Sequence, residues 1–149
     1  MINQIDAQIL NILQQNSRIS NAEIARQIKM APSAVLERIK KLEKNKIIKK
    51  YSVQIEASEV DKELLAFILV KANGPIVDNK TAKELAKVPE VQEVHIVAGE
   101  DCFLVKVRTE NPSALSELLR SKIGLIDSIR STSTTIVLET VKETSDLVF

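Results

Sequence analysis

The run Ala31-Pro32-Ser33-Ala34-Val35-Leu36-Glu37-Arg38-Ile39-Lys40-Lys41-Leu42-Glu43-Lys44-Asn45 decides how the rest of the chain is read. At about 100° per residue, Val35, Leu36, Ile39 and Leu42 fall together on one side of a helix, while Ser33, Glu37, Lys41 and Lys44 gather opposite them, flanked by Ala34 and Lys40. One side is core and the other is a basic outward surface. Pro32 suits the first helical turn, where its missing N–H costs nothing, and so fixes where the helix begins. An amphipathic helix with lysine on its wet side is ordinarily a solvated surface helix, so its meaning rests on its neighbours.

Those neighbours point to DNA. A first helix is expected over residues 4–15, with Asn3 as its cap and Ile5, Ile9, Ile12 and Leu13 inward. Ser20-Asn21-Ala22-Glu23 then has the form of a capping box, so a second helix starts near Asn21, carries Ile24, Ala25 and Ile28 inward and stops by Lys29. Only residues 29–31 remain as a turn before the third helix. Two short helices so closely joined form a helix-turn-helix, whose second helix enters the major groove of double-stranded DNA. The alternation that begins at Tyr51 and ends at Ile55 reads as a strand in the position of a wing.

Charge supports this division. The net charge of +1 hides a balance of +6 over residues 1–55 and −5 over residues 56–149. Between Lys29 and Lys50 there are eight basic and two acidic residues, as expected where phosphates are approached. A DNA-binding domain over 1–55, a polar linker over 56–63 and a second domain over 64–149 follow.

Composition bounds the remainder. With 149 residues and 44% hydrophobic content, the chain can bury one good core or two small ones. The longest uncharged apolar run, residues 64–70, is too short to span a membrane, and the N-terminus enters a helical pattern directly, so a cytoplasmic protein without a membrane partner is expected. A lone cysteine, Cys102, excludes an intrachain disulfide, and with the lone His95 it cannot build a multi-ligand soft-metal site. No metal and no cofactor are expected.

From residue 64 onward the order is strand (64–71), helix (78–88), strand (91–97), strand (102–109), a helix opened by Asn111-Pro112, and a long strand (129–141). This is the split βαββαβ arrangement of ferredoxin-like folds, and the whole chain is α+β. Val94, Ile96, Phe103, Val105 and Val107 are expected to face the helices. Val97, Leu104 and alternate residues of 64–70 face away, which is too apolar a surface to stay wet, so a homodimer built on this domain is expected.

The residues now become familiar. Ile5-Asp6-Ala7-Gln8-Ile9-Leu10, Arg18-Ile19-Ser20-Asn21, Leu36-Glu37-Arg38-Ile39-Lys40-Lys41-Leu42-Glu43 and Ile48-Lys49-Lys50-Tyr51 resemble the winged reader of the Lrp/AsnC transcription regulators. The stretches 97–104 and 134–142 resemble that family's effector-sensing domain. The resemblance implies dimers that associate into octamers and a small effector, usually an amino acid, held between sensing domains. By position the effector site draws on Gly99, Glu100, Asp101 and Cys102 and on Thr134, Thr135 and Ile136. The sequence departs from the family at Cys102, where aspartate is frequent, and at Ala31, where a serine cap is usual. It also departs at Lys46 and Lys50, where glycines are common, and at Asp127-Ser128, which replaces a frequent Pro-Gly.

In the DNA reading, Lys40, Lys44, Lys46, Lys49 and Lys50 contact phosphates, while Ser33, Ala34, Glu37 and Lys41 face bases. Arg38 lies at the flank of the reading face and is either a phosphate contact or a residue packed at the edge of the core. The competing reading is an architectural, nucleoid-associated protein that binds DNA with little sequence preference and no effector. An enzyme is not expected, because Asp101 and Cys102 are consecutive in an extended chain and point to opposite faces, which breaks a thiol, base and carboxylate constellation with His95.

Overall fold

Asn3 begins the first helix, α1 (Gln4–Gln15), with a reciprocal cap. Its Oδ1 accepts the Asp6 N–H at 2.9 Å and its own N–H donates to Asp6 Oδ2 at 3.2 Å. Ser20 caps α2 (Asn21–Ile28) by accepting the Glu23 N–H at 3.1 Å. The third helix, α3 (Pro32–Lys44), opens on Ala31, which offers no side-chain cap, so only its backbone carbonyl serves the first turn. The structure is a computed structural model and describes residues 2–73, 80–99 and 103–149.

The residues divide into two units, Met1–Gln54 with Lys142–Phe149, and Ile55–Val141. The first closes around Ile9, Leu10, Leu13, Ile24, Ala25, Val35, Ile39 and Leu42. Leu36, expected inward, is exposed at 38%. It lies about 90° from the centre of the apolar stripe, which the other three residues define more narrowly than four would. Both turns that follow reader helices are closed by a lysine in the left-handed region, Lys29 at φ 56° and Lys46 at φ 56°. At each, the next residue's N–H reaches back to a carbonyl of the last turn: Met30 to Ala25 at 2.9 Å and Ile47 to Leu42 at 2.9 Å. A left-handed L-residue costs about 1–2 kcal/mol, offset in part by placing a cation at a helix C-terminus.

The expected wing strand at 51–55 does not form. Tyr51, Val53 and Ile55 are largely exposed, and no ladder pairs this segment among the described residues. Alternation alone is insufficient, because a strand exists only when a partner accepts its hydrogen bonds. Tyr51 is held instead by its hydroxyl, which donates to Glu43 Oε1 at 2.9 Å. Partial burial, reinforced by Glu43, pushes the Tyr51 pKa up to about 12.

In the second unit a short 3-10 helix, Ala57–Val60, precedes the sheet in what the sequence marked as linker. The sheet comprises β1 (Leu64–Ala72), β2 (Val91–Ile96), β3 (Phe103–Thr109) and β4 (Ile129–Ile136), with α4 (Lys80–Ala86) and α5 (Pro112–Ser121) in between. Its order, β2-β3-β1-β4, is antiparallel throughout and is the ferredoxin-like arrangement. β4 ends at Ile136, short of the expected 141; one further bond, from the Val137 N–H to the Leu65 carbonyl at 2.9 Å, follows it, and β1 itself begins at Leu64. The core face carries Ala66, Ile68, Val70, Phe103, Val105 and Val107, all buried against Leu85, Leu115, Leu118 and Ile123. Ile96, expected to join them, is 49% exposed at the strand's end.

Position 128 has a clear role. The Ser128 and Thr81 hydroxyls lie 2.7 Å apart, and the Ser128 carbonyl accepts the Asn73 N–H at 2.8 Å. One residue thereby ties α4, the end of β1 and the entry to β4 together. Thr81 is buried at 8%, while Ala86, expected inward, faces solvent. A hydroxyl at this inward position is tolerated because Ser128 satisfies it.

Candidate nucleic-acid interface and effector region

Ser33, Glu37, Lys40, Lys41 and Lys44 are exposed along one side of α3, and Ala34 is half-buried beside them. Lys46, Lys49 and Lys50 follow on the exposed stretch after the helix, and Lys29 is exposed at the turn before it. Among the described residues no ion pair engages Lys41, Lys44, Lys46, Lys49 or Lys50, so their charge is available to an external anion. Lys40 approaches Glu37 at 3.6 Å, a long and exposed pair that holds neither group firmly. The surface is therefore cationic and exposed, suited to a groove lined by phosphates.

Arg38 belongs to a different structure. Its guanidinium donates to Asp6 Oδ1 at 2.8 Å with both side chains largely withdrawn from solvent, and it reaches Asn3 Oδ1 at 3.5 Å. Of its two readings, the geometry supports the packed one: Arg38 locks α3 onto the capped start of α1. The sequence could not reveal this, because Asp6 and Arg38 lie 32 residues apart. Nothing in the identity of Lys29, one of the cations of the basic run, announces its left-handed turn.

The effector region is divided. Glu100, Asp101 and Cys102 lie outside the described residues. Gly99 adopts φ 130° with open space around it, a conformation that L side chains rarely adopt. Thr134 and Ile136 pair with Ile68 and Ala66 on the core face of the sheet, whereas Thr135 pairs with Phe67 on the opposite face. Phe103 and Thr132 both flank Val70, on opposite sides of β1. Thr134 is thus two strands across and two residues along from Phe103, roughly 12 Å away by sheet geometry.

His95 gives no sign of catalytic engagement. Its Nε2 lies 3.0 Å from Glu93 Oε2, and Lys106 Nζ donates to Glu93 Oε1 at 3.3 Å. The His95 contact first, then Lys106, holds the Glu93 carboxyl below the usual carboxylate range. At the far end of the hairpin from Gly99 lies an open hollow of about 440 Å³, with Ile55, Val60 and Pro89 on its apolar side. Lys62, Glu90 and Arg108 also line it. Lys122 donates to Glu90 Oε1 at 2.5 Å and holds this carboxyl below the usual carboxylate range, so it serves the fold.

Comparison with known proteins rests on both units. Residues 2–43 match the AsnC-type helix-turn-helix domain, and residues 65–147 match the Lrp/AsnC ligand binding domain. The chain belongs to the Lrp/AsnC family. Members of this family are DNA-binding transcription regulators, not enzymes, and this chain is one of them. The leucine-responsive regulatory protein of Escherichia coli is 33% identical over 149 residues, covering 99% of this chain and 91% of that protein. Escherichia coli AsnC superposes with a TM-score of 0.89 at 27% identity, covering 98% of each chain. A transcriptional regulator from Neisseria meningitidis in complex with L-methionine superposes at 0.91, with 26% identity over 99% of this chain and 96% of that one. Among the described residues of this family member, no helix is long and apolar enough to cross a membrane, and no group of three or more His, Cys, Asp or Glu is placed to hold a metal.

Arg38→Ala removes a charged hydrogen bond at a partly buried site and leaves Asp6 with only its capping role. The expected loss is about 1–3 kcal/mol of reader stability. Tyr51, the single tyrosine of a chain without tryptophan, sits in the reader unit and reports its unfolding by fluorescence in a denaturant titration. An unchanged midpoint overturns the locking role.

Proposed function

We propose that this regulator reads specific DNA sites through α3 and is modulated by an amino acid held between sensing units of neighbouring copies. The single observation that carries the first part is the row of unpaired lysines along and after α3 on a scaffold that locks that helix from behind. Lys40, Lys44, Lys46, Lys49 and Lys50 set affinity through phosphates, whereas Ser33, Ala34, Glu37 and Lys41 set preference through base edges. Such a protein works in the cytoplasm, where its DNA is. The domain division supported by this reading is a reader over 1–55 followed by a sensing region that begins near residue 64.

Effector modulation is supported by two relatives crystallised with L-methionine, the Neisseria meningitidis regulator and a feast or famine regulatory protein from M. tuberculosis at 26% identity. The separation of Phe103 from Thr134 across β1 within one chain supports a pocket completed by a second copy. Such a pocket would draw Gly99, Glu100, Asp101 and Cys102 from one chain and Thr134, Thr135 and Ile136 from another. Assembly is supported by the sheet's outer face, where Phe67, Leu69 and Leu104 stand half-exposed in adjoining register. That stripe favours a homodimer built through the sheet, and further association to an octamer would bring several readers to one DNA.

Thermal unfolding against the twenty amino acids at millimolar concentration tests the sensor. A ligand at a hundred times its dissociation constant adds about 2.7 kcal/mol, a clear shift for a chain of this size. No shift with any amino acid would favour the architectural reading instead. On DNA, Lys41→Ala is expected to lower the preference for a selected site over random duplex by about tenfold. Lys49→Ala weakens both alike and reduces the salt slope by about 0.9. Equal effects of the two changes on selected and random DNA would remove this division of roles. Sedimentation equilibrium at micromolar concentration should return a dimer or larger, and a stable monomer would overturn the assembly.

A further inference from the structure

The charge division of the chain has an exception. Residues 56–149 carry eleven basic and sixteen acidic residues, yet the stretch Lys80-Thr81-Ala82-Lys83-Glu84-Leu85-Ala86-Lys87 holds three lysines and one glutamate. This stretch is +2, while the rest of that region is −7. The three lysines fall on α4 and on the turn that ends it, where the Lys87 N–H donates to the Glu84 carbonyl at 3.2 Å.

Their spacing gathers them. At about 100° per residue, Lys80, Lys83 and Lys87 fall within about 60° of one another, while Thr81 and Leu85, which α4 buries, lie roughly 150° away. All three lysines are exposed, on the side of the helix turned from its buried face. Side chains at such spacings stand about 5–6 Å apart at Cβ, so the stripe is dense in positive charge. No ion pair among the described residues relieves it: Glu84 lies four residues after Lys80 and three before Lys87 and bonds to neither. Like charges at these spacings cost a helix stability, so the fold itself gives no reason for the stripe. The adjoining hollow of about 280 Å³ is not the site. Lys80, Lys87 and Lys122 line it, but so do Glu84 and Asp127, and Lys122 is already engaged by Glu90. The unneutralised charge lies on the crest of α4.

We propose that the crest of α4 is a second DNA-contact surface, which holds the phosphates of duplex lying beyond the site that α3 reads. The partner follows from charge and length. Lys80 to Lys87 span about 10 Å along the helix, over which one strand of duplex presents about three phosphates. The chain is a DNA-binding regulator, so duplex is the polyanion it meets. Because both surfaces belong to one chain, DNA held by α3 is present to α4 at raised effective concentration. A row of flexible ammonium groups binds phosphate without reading sequence, so this contact adds affinity for long DNA and no preference among sites. The inference rests on the DNA binding of the family and not on the effector reading.

The test uses the full chain carrying Lys80→Gln, Lys83→Gln and Lys87→Gln together, and a second variant with Arg at all three positions. Two duplexes are compared: a selected site of about 20 base pairs, enough for two half-sites, and the same site flanked by several further helical turns of random sequence. On the long duplex the Gln variant is expected to bind about tenfold more weakly near physiological salt and to lose about 0.9 of salt slope for each lysine that met a phosphate. On the short duplex it should match the wild type within about twofold, which also verifies that the reader is folded. The Arg variant keeps the charge and should restore the long-duplex slope. Hydroxyl-radical footprints of the Gln variant should lose the flanking protection and keep the central protection. Equal long-duplex slopes for the wild type and the Gln variant overturn the proposal. An equal loss on both duplexes also overturns it, because the effect then does not lie beyond the site that α3 reads. A Gln variant whose sedimentation differs from that of the wild type without DNA assigns the stripe to a contact between copies and overturns DNA as its occupant.

Discussion

Asp6 is the residue on which the reader's geometry turns. It satisfies the start of α1 through its reciprocal bonds with Asn3, and its second oxygen holds Arg38 on the inner flank of α3. The apolar contacts among Ile9, Leu13, Val35, Ile39 and Leu42 supply the cohesion and set the rotation of α3 about its axis only coarsely. A directional charged pair refines it, and with it how the lysines face outward. A reading helix free to roll by one residue would present Leu36 and Glu43 where Lys41 and Lys44 now stand. Tyr51 acts in the same sense at the other end, pinning the exit from α3 through Glu43.

The two lysines in left-handed conformation show how a reader tolerates local strain. Lys29 and Lys46 close the turns on either side of α3, where glycine would be conformationally easier. A glycine would carry no charge, and these two positions bracket the helix with cations. The price in backbone energy is about 1–2 kcal/mol at each, reduced by the favourable position beside helix C-termini. The uncapped Ala31 is a further small cost at the start of α3, on the order of 1 kcal/mol relative to a serine.

The sensing sheet follows a different rule. Its core face is complete within one chain, and Ser128 with Thr81 seals the junction of α4, β1 and β4 with a satisfied hydroxyl pair. The outer face leaves Phe67, Leu69 and Leu104 half-exposed within one chain. The sheet order places β1 between β3 and β4, so Phe103 and Thr134 are held apart by the central strand. A pocket completed by a second copy, as proposed above, would couple ligand binding to assembly through geometry.

Periodicity was enough to locate α1, α2 and α3, the four strands and the two sheet helices, because a buried face imposes its repeat on the residues that form it. Segregated charge marked the reader for the same reason: phosphates act over many residues at once. The order of strands and helices implied the ferredoxin-like sheet before any coordinate. What the sequence did not contain were relations between distant residues: Asp6 with Arg38, Ser128 with Thr81. Each is a short-range directional bond, and its partners become neighbours only when the chain folds. The same limit explains the wing at 51–55, whose alternation was visible but whose missing hydrogen-bond partner was not. Hydrophobic patterning is a local property that the sequence carries openly, whereas pairing across space belongs to the tertiary structure, because only there are distance and direction defined.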